Sequence, residues 1–403
     1  MKNFIFTALT CLTVCSAFGA PTVAAYYESW WKPDANENAF TLKKLDPHLL
    51  SDLYLAFAAF DSDYNIHPID FKDPEKLYPD LQALKARSDG SLKLFLSIGG
   101  AHFNDPQDPY GMGAKTYRLF SKMAADPIAR KVFIDSAISY AEKYGFDGID
   151  IDWEFPGVAN LGGADVDFEN LISLLQEFRN TLFNKSSSLL LSICLPATVP
   201  EGVWPLFRTH PQLFYRWAAV CAHFCDRITL MSYNYHTPLG SSIVTGANAP
   251  LHRDTLPTST LFVAESVENY LKNGLEAAKI LLGIPLYGWK YANVSSLSSN
   301  SAGPGKPFRG KVSTNPLISN AQIENVLQDP RWNSGFDPLT STAYGFNLKE
   351  SEWISFDTPE TISLKAQYAL KKGLKGVIFW AVNLESNALE GVQAAKGEFD
   401  GNN

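Results

Sequence analysis

Eight short β-rich segments recur along the chain, at 23–30, 52–60, 93–100, 146–154, 189–196, 227–234, 279–288 and 376–382, with helix-like stretches between them. Strands alternating with helices build a parallel sheet covered by helices. Eight repeats over this length predict an α/β fold, a closed (β/α)8 TIM barrel. The alternative is an open doubly wound sheet. That fold usually carries a glycine-rich phosphate loop after its first strand, and AYYESWWKPD (25–34) is nothing like one.

The stretches between the strands carry helix punctuation. In DPIARKVFIDSAISYAEKYG, Asp126 is placed to cap, Pro127 holds a first-turn position and Gly145 follows the end. VDFENLISLLQEFRNTLF has apolar residues near the helical period. TPETISLKAQYALKKGL opens with Thr358 before Pro359, and Gly373 ends it. One interval is too long for a helix and its loops. Residues 290–356 hold SSLSSNSAGPGKPFRG, then NAQIENVLQ, then strand-like STAYGF and EWISF. A small α+β insertion after strand 7 is predicted there, inside one catalytic barrel spanning 21–398.

The N-terminus, MKNFIFTALTCLTVCSAFGAP, places Lys2 before a short apolar run and small residues before Pro21. It reads as an export signal over 1–20, and a secreted, extracellular protein is expected. The run is short for a membrane span, and no other stretch is apolar enough to be one. The formal net charge of −8, without basic runs, argues against nucleic acid or an anionic membrane as partner. Nine Trp and 17 Tyr suit stacking on a flat ligand. Of five Cys, Cys11 and Cys15 fall in the signal. Cys194, Cys221 and Cys225 remain, an odd number that reads as buried small hydrophobes rather than a disulfide framework. Cys221, His223 and Cys225 fall in a predicted helix, where positions two apart do not share a face, so no metal site is read there.

The chemistry concentrates in FDGIDIDWEFPG, residues 146–157. Side chains alternate along a strand, so Asp150, Asp152 and Glu154 share one face while Ile149, Ile151 and Trp153 share the other. In a barrel the apolar set meets the helices and the acids enter the lumen, with Glu154 outermost at the C-terminal mouth. Asp147 has the opposite parity and belongs elsewhere. Carboxylates crowded in low dielectric cannot all stay ionised, so at least one pKa rises and the row can share a proton. Glu154 is the candidate general acid, and Asp152 can pass charge between Asp150 and Glu154 by rotating. Protonating a leaving group beside an oxocarbenium ion is glycosidase chemistry. These acids share one face and do not easily flank a sugar, which suggests an N-acetyl group on the substrate as nucleophile. A divalent cation or a buried structural network would also suit such a row, and spacing alone does not separate them.

With these residues in place, the chain resembles family 18 glycoside hydrolases, the group that holds many chitinases. FDGIDIDWEFPG fits the DxxDxDxE signature, LKLFLSIGG with Gly100 fits the SxGG third strand, and LMSYN with Asn234 resembles the sixth-strand MxYD pattern. TGANAPLH, GIPLYG and the C-terminal EWISF to NLES stretch also recur in the family's order. The resemblance implies a retaining, substrate-assisted hydrolase of β-1,4 bonds in chitin or chitooligosaccharides, monomeric, with no metal or organic cofactor. It implies Glu154 as acid and then base, Asp152 on the acetamido group, Asp150 holding charge behind it, and Tyr233 on the acetamido carbonyl. Trp380 would floor the reacting sugar. Tyr26, Phe57, Met231 and Tyr287 would line the pocket, Phe155 would stand beside the acid, and Trp30 would stack on sugars further out. Trp31 and Trp289 suit either the cleft or loop packing.

Two departures stand out. Asn234 occupies a position where many members carry Asp, and Ala101 one where many carry Trp. The first is expected to lower the acid's pKa and the second to weaken product-side binding. The insertion is expected to wall the cleft and favour long-chain or exo-type binding. Two other readings compete: a chitinase-like lectin that binds without cutting, and a hydrolase of peptidoglycan or N-glycan cores. Asn184 and Asn293 lie in glycosylation sequons.

Overall fold

The β-rich segments become eight barrel strands: β1 Thr22–Glu28, β2 Asp52–Phe60, β3 Lys93–Gly99, β4 Gly148–Asp152, β5 Leu190–Pro196, β6 Arg227–Met231, β7 Ile280–Pro285 and β8 Gly376–Trp380. A computed structural model describes residues 20–30, 40–70, 72–109, 111–239, 242–254, 262–309 and 316–401. Trp31 and the export signal up to residue 19 lie outside the described residues. Each strand pairs in parallel with its neighbour in sequence, and β8 pairs back onto β1, which closes the barrel. A strand with a packed lumen on one side and helices on the other is apolar almost throughout. All nine residues of β2 are accordingly buried.

The main covering helices are α1 Asp73–Ala86, α2 Pro127–Tyr144, α3 Asp167–Asn184, α4 Pro211–His223, α5 Val263–Lys272, α6 Pro359–Lys371 and α7 Glu390–Asp400. Their ends obey local chemistry. The Asp126 carboxylate accepts the Ile128 N–H at 2.8 Å, and Gly145 takes the left-handed conformation, φ +73°, that stops α2. Thr358 caps α6 through the Thr361 N–H. Cys221 and Cys225 are buried at the end of α4 and form no disulfide.

Six strands stop earlier than the β-rich segments predict, and β4, β6 and β7 do so at the site. The runs reach 154, 234 and 288, whereas β4, β6 and β7 end at Asp152, Met231 and Pro285. Ladder partners decide this. β4 last pairs Asp152 with Gly99 on one side and Ile151 with Ile193 on the other, and then splays out at the mouth. Glu154, Tyr233 and Asn234 therefore sit on loops leaving the barrel rim.

After β7, Leu286 donates its N–H to the Trp380 carbonyl at 2.7 Å, and a second sheet begins at Tyr287. It is antiparallel, in the order 317–319, 287–291, 352–356, 342–347, 332–337. The helix Asn320–Leu327 joins it, held by a capping box between Ser319 and Gln322. Ile323, Ala343, Ile354 and Phe356 form its own small core. The fold is thus a (β/α)8 barrel carrying an α+β insertion after its seventh strand.

Candidate active site

The period of two on β4 buries Asp150 and Asp152 in the lumen, while Ile151 and Trp153 face α3 and α4. Register brings Ser97 of β3 and Ser192 of β5 level with Asp150. Ser97 donates to Asp150 Oδ2 at 2.7 Å and the Tyr26 hydroxyl donates to the same oxygen at 3.0 Å. Burial pushes the Asp150 pKa up, and these hydrogen bonds oppose it. Asp152 is raised further, first by burial and then by the charges of Glu154 and Asp150. Oδ1 of Asp150 and Oδ1 of Asp152 are both buried without a hydrogen-bond partner among the described residues. Two adjacent carboxyls with an unmet oxygen each are suited to hold a proton between them.

Glu154 is pushed up to about 7 by burial, against the opposing hydrogen bond from the Ala101 N–H. It is thus protonated over the acid range up to neutrality. Asp147 falls on the opposite parity, at the other end of the barrel. It pairs with Lys85 at 2.6 Å and accepts the Leu94 N–H at 2.8 Å.

Above the acids opens a cavity of about 700 Å³. Tyr26, Asp152, Glu154, Phe155, Met231, Tyr233, Asn234, Tyr287 and Trp380 all line it. Asp150 lies one layer beneath, reached through Tyr26. Phe57 and Trp30 stand to the side: the rings of Trp380, Phe57 and Trp30 follow one another at 5.7 and 5.8 Å, near parallel, and Trp30 is 42% exposed. Together they form an aromatic shelf running outward from the cavity. Gly100 packs beneath Phe57 and donates its N–H to the Asp152 carbonyl at 2.8 Å. Three peptide bonds at this rim are cis: Ala56–Phe57, Glu154–Phe155 and Trp380–Ala381.

Asn234 sits at φ +62° with its N–H on Asn248 Oδ1, 2.9 Å away. Its own Oδ1 accepts from the Tyr287 hydroxyl at 2.7 Å and from Trp289 Nε1 at 3.0 Å. Trp289, undecided in the sequence, is therefore a cleft residue, and with Tyr287 and Leu317 it makes the insertion one wall of the cavity. Sequence reasoning missed three contributors. Cys194, read as filler, reaches the acid row; the signal was its parity with Ser192 on β5. Asn248, inside TGANAPLH, also donates to the Tyr287 carbonyl at 3.1 Å. Glu201, on the loop after β5, borders the cavity with its side chain exposed. Among the described residues no cluster of His, Cys, Asp and Glu is arranged to hold a metal ion.

Against this geometry, comparison with known proteins is consistent. The profile of the glycosyl hydrolases family 18 matches residues 22–385. Class V chitinase of Arabidopsis thaliana is 30% identical over 364 residues, covering 89% of this chain and 86% of that protein. Chitotriosidase-1 of Mus musculus is 28% identical over 370 residues, covering 91% and 74%. Among solved structures, a mutant of the class V chitinase from Nicotiana tobaccum in complex with NAG4 superposes with a TM-score of 0.76 at 23% identity, covering 94% of this chain and 99% of that one.

Proposed function

Because the chain belongs to family 18 of the glycosyl hydrolases, a glycoside hydrolase by family, we propose that it is a secreted chitinase. On this reading it cleaves β-1,4 bonds between N-acetylglucosamine units of chitin or chitooligosaccharides as a monomer, with retention and with the substrate's acetamido group as nucleophile. The observation that carries the reading is the placement of Glu154. Its carboxyl, held near pKa 7, caps a buried carboxyl pair at the edge of a cavity floored by Trp380.

The sugar about to react lies on the Trp380 face. Glu154 gives its proton to the bridging oxygen as that bond breaks. Asp152 turns from Asp150 toward the acetamido N–H, and its charge holds the amide so that the carbonyl oxygen attacks the anomeric carbon from the opposite face. An oxazolinium ion forms, and Tyr233 donates to the carbonyl oxygen during the attack. Asp150, whose burial favours the protonated form, keeps the proton that Asp152 releases, while Ser97 and Tyr26 hold its carboxyl in place. Glu154, now a carboxylate, takes a proton from water; the hydroxide opens the ring, and the configuration at carbon is retained.

Export rests on the N-terminal segment; no helix among the described residues is long and apolar enough to cross a membrane, which by itself says nothing of export. A fluorogenic chitobioside tests the activity. Release of fluorophore is expected from the wild type and lost in Glu154→Gln. Parallel assays on chitin, muropeptides and a high-mannose glycoprotein decide the glycan, and turnover of either of the latter two in preference to chitin would overturn the substrate assignment. Binding of chitooligosaccharide without turnover would identify a lectin instead.

A further inference from the structure

The reaction described above needs an acetyl group on one sugar only, the one lying on Trp380, because that sugar alone supplies the nucleophile. Its neighbours along the chain are free to differ. Trp30 and Phe57 belong to the β1 and β2 side of the barrel mouth, so the aromatic shelf leaves there. β5 stands across the barrel from β1. The loop after β5 carries Glu201 and the loop after β4 carries Asn160, and both line the cavity. Gly202 fixes how these loops meet: at φ +79°, a Cβ built on it would stand 3.1 Å from Asn160 Oδ1 and 3.5 Å from Val158 Cγ1. Glu154 stands at the root of the same β4 loop. The part of the substrate that leaves with the bridging oxygen therefore runs from Glu154 toward Asn160 and Glu201.

The charge of the cavity has one sign. Its carboxyls are Asp152, Glu154 and Glu201, and among the described residues no Lys or Arg lines it. His236 also borders it, but this ring is buried with Nε2 3.2 Å from Asp254 Oδ2, so any charge it takes up is met there. Burial keeps Tyr26, Tyr233 and Tyr287 neutral. Asp152 and Glu154 are buried deep and have their parts in the reaction. Glu201 differs: its side chain is exposed, and it has neither a hydrogen bond nor an ion pair among the described residues. An unpaired carboxylate on the wall of a cleft without cations attracts a cationic group and repels an anionic one.

We propose that Glu201 is a specificity-determining residue that takes the ammonium of a glucosamine unit on the leaving side. The preferred substrate is then partly N-deacetylated chitin, cut with N-acetylglucosamine on Trp380 and glucosamine beyond Glu154. The proposal rests on the family 18 reading of the reacting sugar given above. An ammonium carries three donor hydrogens and a full charge, where the acetamido group it replaces is neutral. Its hydrogen bond to a carboxylate is shorter and stronger than a neutral one. On the reacting sugar the same ammonium stops turnover, since it has no carbonyl oxygen to attack with. A sugar bearing a carboxylate, such as a muramic acid unit, is repelled from the place where glucosamine is held.

The test has two arms on the full chain, both at mildly acidic pH, where the sugar amine is charged. In the first, partly N-deacetylated chitosan is hydrolysed briefly and the product ends are sequenced. The new reducing ends are expected to be N-acetylglucosamine. The first two units of the new non-reducing ends are expected to hold glucosamine in excess of its share in the polymer, and the excess to vanish in Glu201→Gln. In the second, binding of the glucosamine tetramer, which lacks the acetamido nucleophile, is measured by titration calorimetry. Its Kd is expected to rise about three- to fivefold in Glu201→Gln, and to rise with added salt in the wild type. Equal Kd values in wild type and Glu201→Gln, or end compositions that follow the polymer's own, would overturn the proposal. The calorimetric arm reads without turnover, so it decides the part of Glu201 even if chitin is not cleaved, a result that would count against the function itself.

Discussion

The Phe57 ring lies so close to Gly100 that a Cβ built on the glycine would stand 2.4 Å from ring carbon Cε2. Gly100 also holds φ +87°, a left-handed conformation that a side chain strains. Phe57 is the middle ring of the shelf between Trp380 and Trp30. Gly100→Ala should therefore push the ring out of line and weaken sugar stacking. On chitotetraose, KM is expected to rise by about tenfold with a smaller change in kcat, since one stacking contact on an aromatic ring is worth on the order of 1 kcal/mol. A variant with unchanged KM would show that the shelf carries no substrate.

The rate should follow the proton on Glu154. Burial raises this carboxyl to about 7, and it acts in its protonated form, so kcat/KM is expected to fall as pH rises through about 7. On the acid side, both Asp150 and Asp152 are raised by burial, so activity falls there once the pair is fully protonated. Glu154→Gln should lose about 10²- to 10⁴-fold in kcat and with it the alkaline limb.

Asn234 gives the cavity that holds this acid a neutral side chain. Aspartate at this place would still accept from Tyr287 and Trp289 but would add a negative charge. A like charge disfavours the Glu154 carboxylate and raises its pKa, so Asn234→Asp should shift the alkaline limb upward by about half to one pH unit. A flat comparison with the wild type would contradict this.

Glu201 is the other carboxylate on the cavity border. If the nucleophile is the acetamido group, Glu201 has no covalent role, and Glu201→Ala should lower kcat by at most a few-fold, far less than the loss at a general acid. A loss as deep as that of Glu154→Gln would point to a pair of carboxylates flanking the sugar instead.

The acid row was readable because a period of two depends on neighbours in sequence alone. Asp150, Asp152 and Glu154 had to share a face, and Asp147 had to leave it. Helix ends at Asp126, Gly145 and Thr358 were readable for the same reason, since a cap is a contact over three or four residues. Strand ends were not. Where β4 and β6 stop depends on which partner strand still runs alongside, and that pairing is long-range. Cys194 is buried and free as read, but its place by the acid row depends on the register of β5 on β4, which sets Ser192 level with Asp150 and Cys194 higher up the row. Trp289 could not be placed without knowing that the chain turns at Leu286 to begin a new sheet.

The anomeric form of the first products tests the central proposition most directly. Chitohexaose is hydrolysed briefly and the new reducing ends are read by proton NMR before they mutarotate. Attack by the substrate's own acetamido group predicts an initial excess of the β-anomer in the wild type, and its loss together with turnover in Asp152→Asn. An initial excess of the α-anomer would mean that water attacks directly, and the proton-sharing row on β4 would then need a different explanation.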